Sequence, residues 1–308
     1  MKRVIVTGAN GFIGRHATGQ LLREGWEVHA LGRSLPAGDA PRERLLHHRL
    51  DLMDVRALRA CIESIGAGAL LHLAWDTDPA TYRSSLANFD WVGASLALLE
   101  AFRRAGGVQA VCAGTCAEYD WRHGYCREDL TPLRPDSVYG RCKRALSDLS
   151  LAYAEASGLS LTWGRVFFLY GPHEPAARLV PAVVRALLGG EPVAVSSGEQ
   201  LRDYLHVADV AAAFVRLLDA APGGCVNIAS GEPVAVRRIV ETLAGLLDGH
   251  GRLHFGAVPR PAGDPALIAG DNARLRACGW QPRYTLDAGL ADAIDWWRTR
   301  SAAGEEAR

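Results

Sequence analysis

Tyr139 and Lys143 stand four residues apart in 136-DSVYGRCKRALSD-148, a stretch with the period of an amphipathic helix. Both side chains therefore share one face, one turn apart. Taken alone, the spacing describes an ordinary surface pair. The chemistry it could do is proton exchange. A free phenol ionises near pH 10, and a neighbouring ammonium favours the phenolate that a base at neutral pH requires. A second pattern opens the chain: 3-RVIVTGANGFIGRH-16 runs from an apolar strand through Gly8, Gly11 and Gly14 into a helix. A tight turn, close approach of a pyrophosphate and helix–strand packing each ask for one glycine. The first helical residues, Phe12 and Ile13, follow this turn, where free N–H groups and the dipole favour phosphate. The pattern predicts a dinucleotide. At the end of the second strand, 28-VHALGRS-34, Gly32, Arg33 and Ser34 stand where an acidic residue would grip the ribose of NAD. Arg33 has the planar fork that suits a 2′-phosphate, Ser34 adds a hydroxyl donor, and Arg15 is within the same loop. NADP(H) is therefore favoured, with NAD(H) the alternative.

These groups are more than a hundred residues apart and need a scaffold that unites them. Strand-like runs occur at 3–7, 26–31, 46–50, 69–74, 108–113 and 160–166. Helix-period stretches lie between them, near 12–24, 54–65, 82–105 and 137–157. Such alternation predicts βαβ units and a doubly wound α/β fold, a parallel sheet covered on both faces. An open sheet of this kind binds ligands beyond the carboxyl ends of its strands. After residue 170 the pattern is less regular, with helices near 178–189, 207–220, 235–248 and 286–299. Loops are expected at 35–41, 120–135 and 256–265, and a frayed tail at 301–308.

The 308 residues are 49% hydrophobic and 22% charged, as in an ordinary globular protein. A formal net charge of zero without a basic block argues against nucleic acid as a partner. The longest apolar runs, such as 67-AGALLHLAW-75, are too short to span a bilayer, and MKRVIVTG enters a strand directly with no export signal. Seven cysteines without a C-x-x-C read as reduced thiols, which fits the cytoplasm.

With TGANGFIG near the start and YGRCK at 139–143, the chain resembles the extended short-chain dehydrogenases/reductases, and within them the nucleotide-sugar epimerases, dehydratases and reductases. The resemblance covers nearly the whole chain and implies a Rossmann domain over 1–170, rejoined by 204–230. A smaller C-terminal α/β substrate lobe is expected from 171–203 and 231–300. Asp51 and Leu52 match the pair that meets the adenine. The segment 72-HLAW-75 matches the family's H-x-A-A, placing Leu73, Ala74 and Trp75 beside the cofactor's ribose, with Trp75 in place of the second alanine. The segment 114-GTCAEYDW-121 puts Thr115 on the catalytic Ser/Thr. On this resemblance Tyr139 exchanges a proton with a sugar hydroxyl or ketone, Lys143 supports the phenolate and holds the nicotinamide ribose, and Thr115 orients the reacting oxygen. In the second half 165-RVFFLYGPHEP-175, 200-QLRDYLHVADV-210 and 259-PRPAGDP-265 match substrate-lobe motifs. They imply that Arg202 and Arg260 hold a diphosphate. Phe168 is a substrate-site residue where the family has asparagine, and Asp90 departs from the usual N-x-x-G-T.

The resemblance leaves the reaction to local detail. Dehydratases carry Thr-Asp-Glu, whereas Thr115 is followed by Cys116 and Ala117, and Glu118 need not face the sugar. His173 matches the histidine of GDP-fucose synthase-like enzymes, but Cys116 is one residue short of the partner cysteine. Arg33 tips the expectation towards NADPH-dependent reduction of a keto-sugar nucleotide at C4. The alternative is a sugar-nucleotide 4-epimerase with a retained cofactor. A third reading, a non-catalytic dinucleotide sensor, fits poorly with a chain that keeps Thr115, Tyr139 and Lys143. A homodimer is expected through the helices near 82–105 and 137–157.

Overall fold

The computed structural model describes residues 2–34 and 42–302; the loop expected at 35–41 and most of the tail lie outside them. Strands β1 (Arg3–Thr7), β2 (Glu27–Gly32), β3 (Leu45–Arg49), β4 (Ala69–His72) and β5 (Gln109–Thr115) alternate with helices α1 (Phe12–Arg23), α2 (Val55–Ile65) and α3 (Ala87–Arg104). The short strand β6 (Tyr125–Cys126) precedes α4 (Val138–Ser157), β7 (Ser160–Val166), β8 (Phe168–Tyr170) and α5 (Leu179–Leu188). Then come β9 (Val193–Val195), β10 (Leu201–Arg202), β11 (Tyr204–His206), α6 (Val207–Ala220) and β12 (Gly224–Ile228). The chain ends with β13 (Val234–Ala235), α7 (Val236–Leu246), β14 (Leu253–Phe255), β15 (Leu267–Gly270), α8 (Ala273–Ala277) and α9 (Leu286–Ala302).

Seven strands form one parallel sheet in the order β12-β7-β5-β4-β1-β2-β3. The order reverses between β1 and β4, so the crevice beyond these strand ends is the switch point where a ligand fits. Strands such as RVIVT are apolar on both faces because helices cover both. Val4, Val6, Leu21, Phe214 and Val226 pack on one face with α1 and α6, while Ile5, Leu58, Leu98, Phe102 and Leu161 pack on the other with α2, α3 and α4. A separate core of Val184, Leu187, Ile239, Leu243, Leu290 and Ile294 joins α5, α7 and α9. Smaller sheets, β13-β10-β15-β6, β11-β8 and β14-β9, surround it.

Local signals set the helix ends. The Asp54 carboxylate accepts from Ala57 N at 3.0 Å to start α2, which stops at left-handed Gly66. Ser137 caps α4 by accepting from Gly140 N at 3.1 Å. The helix expected from 82 begins at Ala87 instead. The Asn88 amide donates to the Tyr82 and Ser85 carbonyls, each at 2.8 Å, and so satisfies the preceding turn without a helical ladder. The loop expected over 120–135 contains β6, which pairs with β15. At the C-terminus Ser301 and Ala302 still belong to α9. No described helix is long and apolar enough to cross a membrane.

Candidate active site

The glycine loop forms one wall of a cleft of about 930 Å³ at the switch point. Gly8 has φ +72°, and a Cβ there would lie 2.8 Å from Ala74 N, so only glycine lets β1 turn against the end of β4. A Cβ on Gly14 would collide with the Gly8 carbonyl, and Gly14 thus allows α1 to start directly under the turn. Gly11 N donates to Gly8 O at 2.8 Å, and Phe12 and Ile13 open the helix behind it. The cleft is lined farther out by Arg33 and Ser34 from the end of β2, and by Asp51 and Leu52 after β3. Ser34 accepts from Asn10 Nδ2 at 2.9 Å, leaving its O–H as a donor. Ala74 and Trp75 line the inner side. Leu73 is half-buried behind them, its N–H donating to Thr7 O at 3.2 Å. The His72 ring ties this wall together, bonding Thr7 Oγ1 at 2.7 Å and Ser95 Oγ at 2.8 Å. Complete burial keeps it neutral, with a pKa of about 3.

This cradle fits a dinucleotide: backbone approaches where side chains would block, and donors stand at both ends. Arg15 does not join it. Its guanidinium donates to Asn10 O and bonds His173 Nδ1, both at 2.8 Å.

Trp75 connects the cleft to the tyrosine and lysine. Its ring meets Tyr139 edge-on at 6.3 Å and lies 3.6 Å from Lys143 Nζ. Thr115, at the end of β5, hydrogen-bonds the Tyr139 phenol. That closeness depends on Gly140, where a Cβ would collide with the Ala117 carbonyl and come within 2.8 Å of Pro135. The fourth residue of the group, Lys143, is 3% exposed and donates to Ala113 O at 3.0 Å. Burial pushes the phenol well above its ordinary value, with the Thr115 bond pulling the other way. Burial also lowers the ammonium to about 7, partly offset by Glu118 and Cys112.

The structure therefore brings Thr115, Tyr139 and Lys143 together beside Trp75, which lines the cleft. The groups that would do other chemistry are buried or bound to other partners. Glu118 is fully buried: Oε1 accepts from Thr115 N at 2.8 Å and Trp163 Nε1 at 2.9 Å, and Oε2 from Arg165 Nε at 2.7 Å. Cys116 is buried, and desolvation raises its thiol far above the ordinary range. His173 bonds Arg15 and packs on Trp296 with centroids 4.7 Å apart, its pKa held at about 4 by burial and then by Arg15.

In the second half, Arg202 and Arg260 converge on one carboxylate. Arg202 Nη2 meets Asp264 Oδ1 at 2.5 Å, and Arg260 Nε meets Oδ2 at 3.0 Å. The Arg202 guanidinium lies 5.7 Å from the Phe168 ring, which in turn packs on Tyr204. Asp264 holds here the kind of charge that an anionic ligand would present.

Sequence reasoning assigned no role to Gly140, Asn88, Arg165, Asp264 or Glu174. Arg165 was visible as the arginine of R-x-F, but its partner lies 47 residues away. Glu174 is 5% exposed, and burial raises its carboxyl to about 8 despite nearby Arg178. No described cluster of His, Cys, Asp or Glu could hold a metal ion.

Several known proteins resemble this chain over nearly its whole length. A UDP-glucose 4-epimerase of Streptomyces lividans is 28% identical, covering 96% of this chain and 95% of its own. The solved structure of MoeE5 with UDP-glucose and NAD is 32% identical, covers 97% of this chain and 99% of its own, and superposes with a TM-score of 0.84. The UDP-glucose 4-epimerase of Thermus thermophilus, solved with NAD, gives a TM-score of 0.85 at 26% identity over 96% of this chain and 99% of its own. Residues 4–229 match the NAD dependent epimerase/dehydratase family, and the chain belongs to that family as an enzyme of the extended short-chain dehydrogenase/reductase type.

Proposed function

We propose that the protein is a sugar-nucleotide 4-epimerase acting on a UDP-hexose or UDP-hexuronate with a retained nicotinamide cofactor. The observation that carries this reading is the diversion of Glu118. The carboxylate beside the catalytic threonine is consumed by Arg165, Trp163 and the Thr115 N–H, so elimination of water has no free acid there. Cys116 and His173 are likewise held in separate surroundings, which leaves no pair for exchange at carbon next to a ketone. What remains is a site for oxidation and reduction at a single carbon. Similarity to a UDP-glucose 4-epimerase and a UDP-glucuronate 4-epimerase favours 4-epimerisation over the keto-sugar reduction expected from Arg33 alone.

When bound, the nicotinamide supplies a hydride acceptor and donor at the sugar's C4. The residues of this chain do the rest. Tyr139 takes the proton of the C4 hydroxyl and later returns it. Thr115 bonds the same oxygen and fixes its distance from the phenol, and Lys143 stabilises the phenolate. Inversion requires the ketone to turn its opposite face to the cofactor, so the substrate must be anchored away from C4. Arg202 and Arg260 suit that task, since a diphosphate can replace the carboxylate of Asp264 between them. Arg33 and Ser34 favour the 2′-phosphorylated cofactor. We also infer a homodimer through α3 and α4, where Leu149 of α4 is 51% accessible.

Incubation with UDP-glucose and with UDP-glucuronate, followed by chromatography of the sugar nucleotides, tests the reaction. The C4 epimer should accumulate to equilibrium with no net change in absorbance at the nicotinamide band. Stoichiometric NADPH consumption on a 4-keto sugar nucleotide, with no epimer formed from either substrate, would return the assignment to a reductase.

A further inference from the structure

The residue at position 75 is where this chain departs from the alanine of the family pattern, and its tryptophan lies against the lysine of the site. The Lys143 ammonium is 3.6 Å from the indole centroid, well inside the range of attraction between a cation and a ring face. Two contacts fix that ring. Trp75 Nε1 donates to Asn88 Oδ1 at 2.8 Å, and Asn88, itself 2% exposed, is tied to the Tyr82 and Ser85 carbonyls. The ring also stacks on Trp91 with centroids 5.8 Å apart. Lys143 has reason to need it. The ammonium is nearly fully buried with a single backbone acceptor, Ala113 O, and Glu118, the carboxylate whose charge acts on it, is bound to Arg165. A buried cation with so few partners is costly, and an aromatic face replaces part of its lost hydration.

We propose that Trp75 is a positioning residue for the reaction: its indole face holds the Lys143 ammonium beside the Tyr139 phenol. The kinetic consequence rests on the epimerase reading; the contact does not. On this proposal Tyr139 and Lys143, one turn apart on α4 and both against the Trp75 ring, titrate as a coupled pair. With one proton removed, the pair is either ammonium and phenolate, which is the working base, or amine and phenol, which is not. The indole favours the first arrangement because it attracts only the cation. Lys143 is also faced by the Trp163 ring on β7, 5.9 Å away, and by Cys112 on β5, His72 on β4 and Glu118 in the turn after β5, while Tyr139 is faced by Tyr82, Glu118 and Cys116. Burial holds Cys112 at about 12 and His72 at about 3, so neither titrates near neutrality.

The test compares kcat/KM against pH for wild type, Trp75→Phe and Trp75→Leu, with tryptophan emission of the ligand-free protein followed from pH 6 to 8. Losing the ring destabilises the ammonium, so in Trp75→Leu the acid limb moves down by about one pH unit and the plateau falls about tenfold. Trp75→Phe keeps a weaker aromatic face and lies between the two. The emission of Trp75, read as wild type minus Trp75→Phe, titrates with a midpoint near the Lys143 value of about 7 and becomes flat in Lys143→Met. A Trp75→Leu enzyme with a lower plateau but an unmoved limb would overturn the proposal, as would an emission titration that survives Lys143→Met. If no sugar nucleotide is turned over by the wild type, the epimerase reading fails while the emission titration still decides the contact.

Discussion

Replacing Glu118 by Gln separates two accounts of the carboxylate beside Thr115. In the structure Glu118 is fully buried and carries the ion pair with Arg165, which is itself 2% exposed. Gln is nearly isosteric, so it creates no cavity. Its carbonyl can still accept from Thr115 N and Trp163 Nε1, but its amide then faces Arg165 Nε donor to donor. Breaking a buried pair by removing one charge costs about 3–5 kcal/mol, because the other charge is left unpaired. At roughly 2 °C per kcal/mol for a chain above two hundred residues, Tm should fall by about 6–10 °C. Urea unfolding gives the same quantity as a lower midpoint at an unchanged slope. The double variant Glu118→Leu with Arg165→Leu should recover part of the loss, since it leaves no orphan charge. In the folded variant, assayed well below its Tm, kcat should stay within about tenfold of wild type, because Glu118 touches neither proton nor hydride. A variant with unchanged urea midpoint and kcat reduced a thousandfold would refute this reasoning and make Glu118 an acid or base of the reaction.

Other perturbations probe the remaining parts of the site. If Arg33 pairs with a 2′-phosphate as proposed, Arg33→Asp removes that partner and adds repulsion, so NADPH binding should weaken by about 2–4 kcal/mol with a smaller effect on NADH; tighter NADH than NADPH binding by the wild type would contradict it. Arg202→Ala or Arg260→Ala should chiefly raise KM for the sugar nucleotide, whereas Tyr139→Phe should chiefly lower kcat. Light scattering at working concentration should give twice the chain mass, and a monomer removes the dimer through α3 and α4. Glu174 has a folded pKa of about 8, above the ordinary 4.5, so the folded state binds the extra proton and stability is lost as pH rises between those values. Glu174→Gln abolishes that loss, and its stability relative to wild type should grow by about 1.4 kcal/mol per pH unit over this window. A difference that does not change with pH in urea titrations would exclude a protonated Glu174.

What was legible in the sequence was legible for a physical reason. The glycines of 8–14 and the Tyr139–Lys143 spacing are local patterns, set by one turn and one helix face, and each survives as drawn. The parallel sheet followed from strand and helix periods, which also depend only on near neighbours. The helix start at Ala87 was misplaced because Asn88 satisfies the carbonyls of the preceding turn, a side-chain choice that leaves the apolar period unchanged. The fate of Glu118 was open for a different reason. Whether a carboxylate three residues past Thr115 faces substrate or core depends on Arg165 and Trp163, which arrive from β7, next to β5 in the sheet but far along the chain. Trp75 shows the same division. Its identity was plain as a departure from a small residue, but its role depends on Lys143 arriving from α4 and Asn88 from α3. The reacting groups of this fold are written locally, whereas the selection of one reaction among several is written in the partners that occupy their neighbours. For this chain Arg165 on Glu118 bears on that selection by occupying an acid, whereas the proposed role of Trp75 against Lys143 bears on the proton exchange that these reactions share.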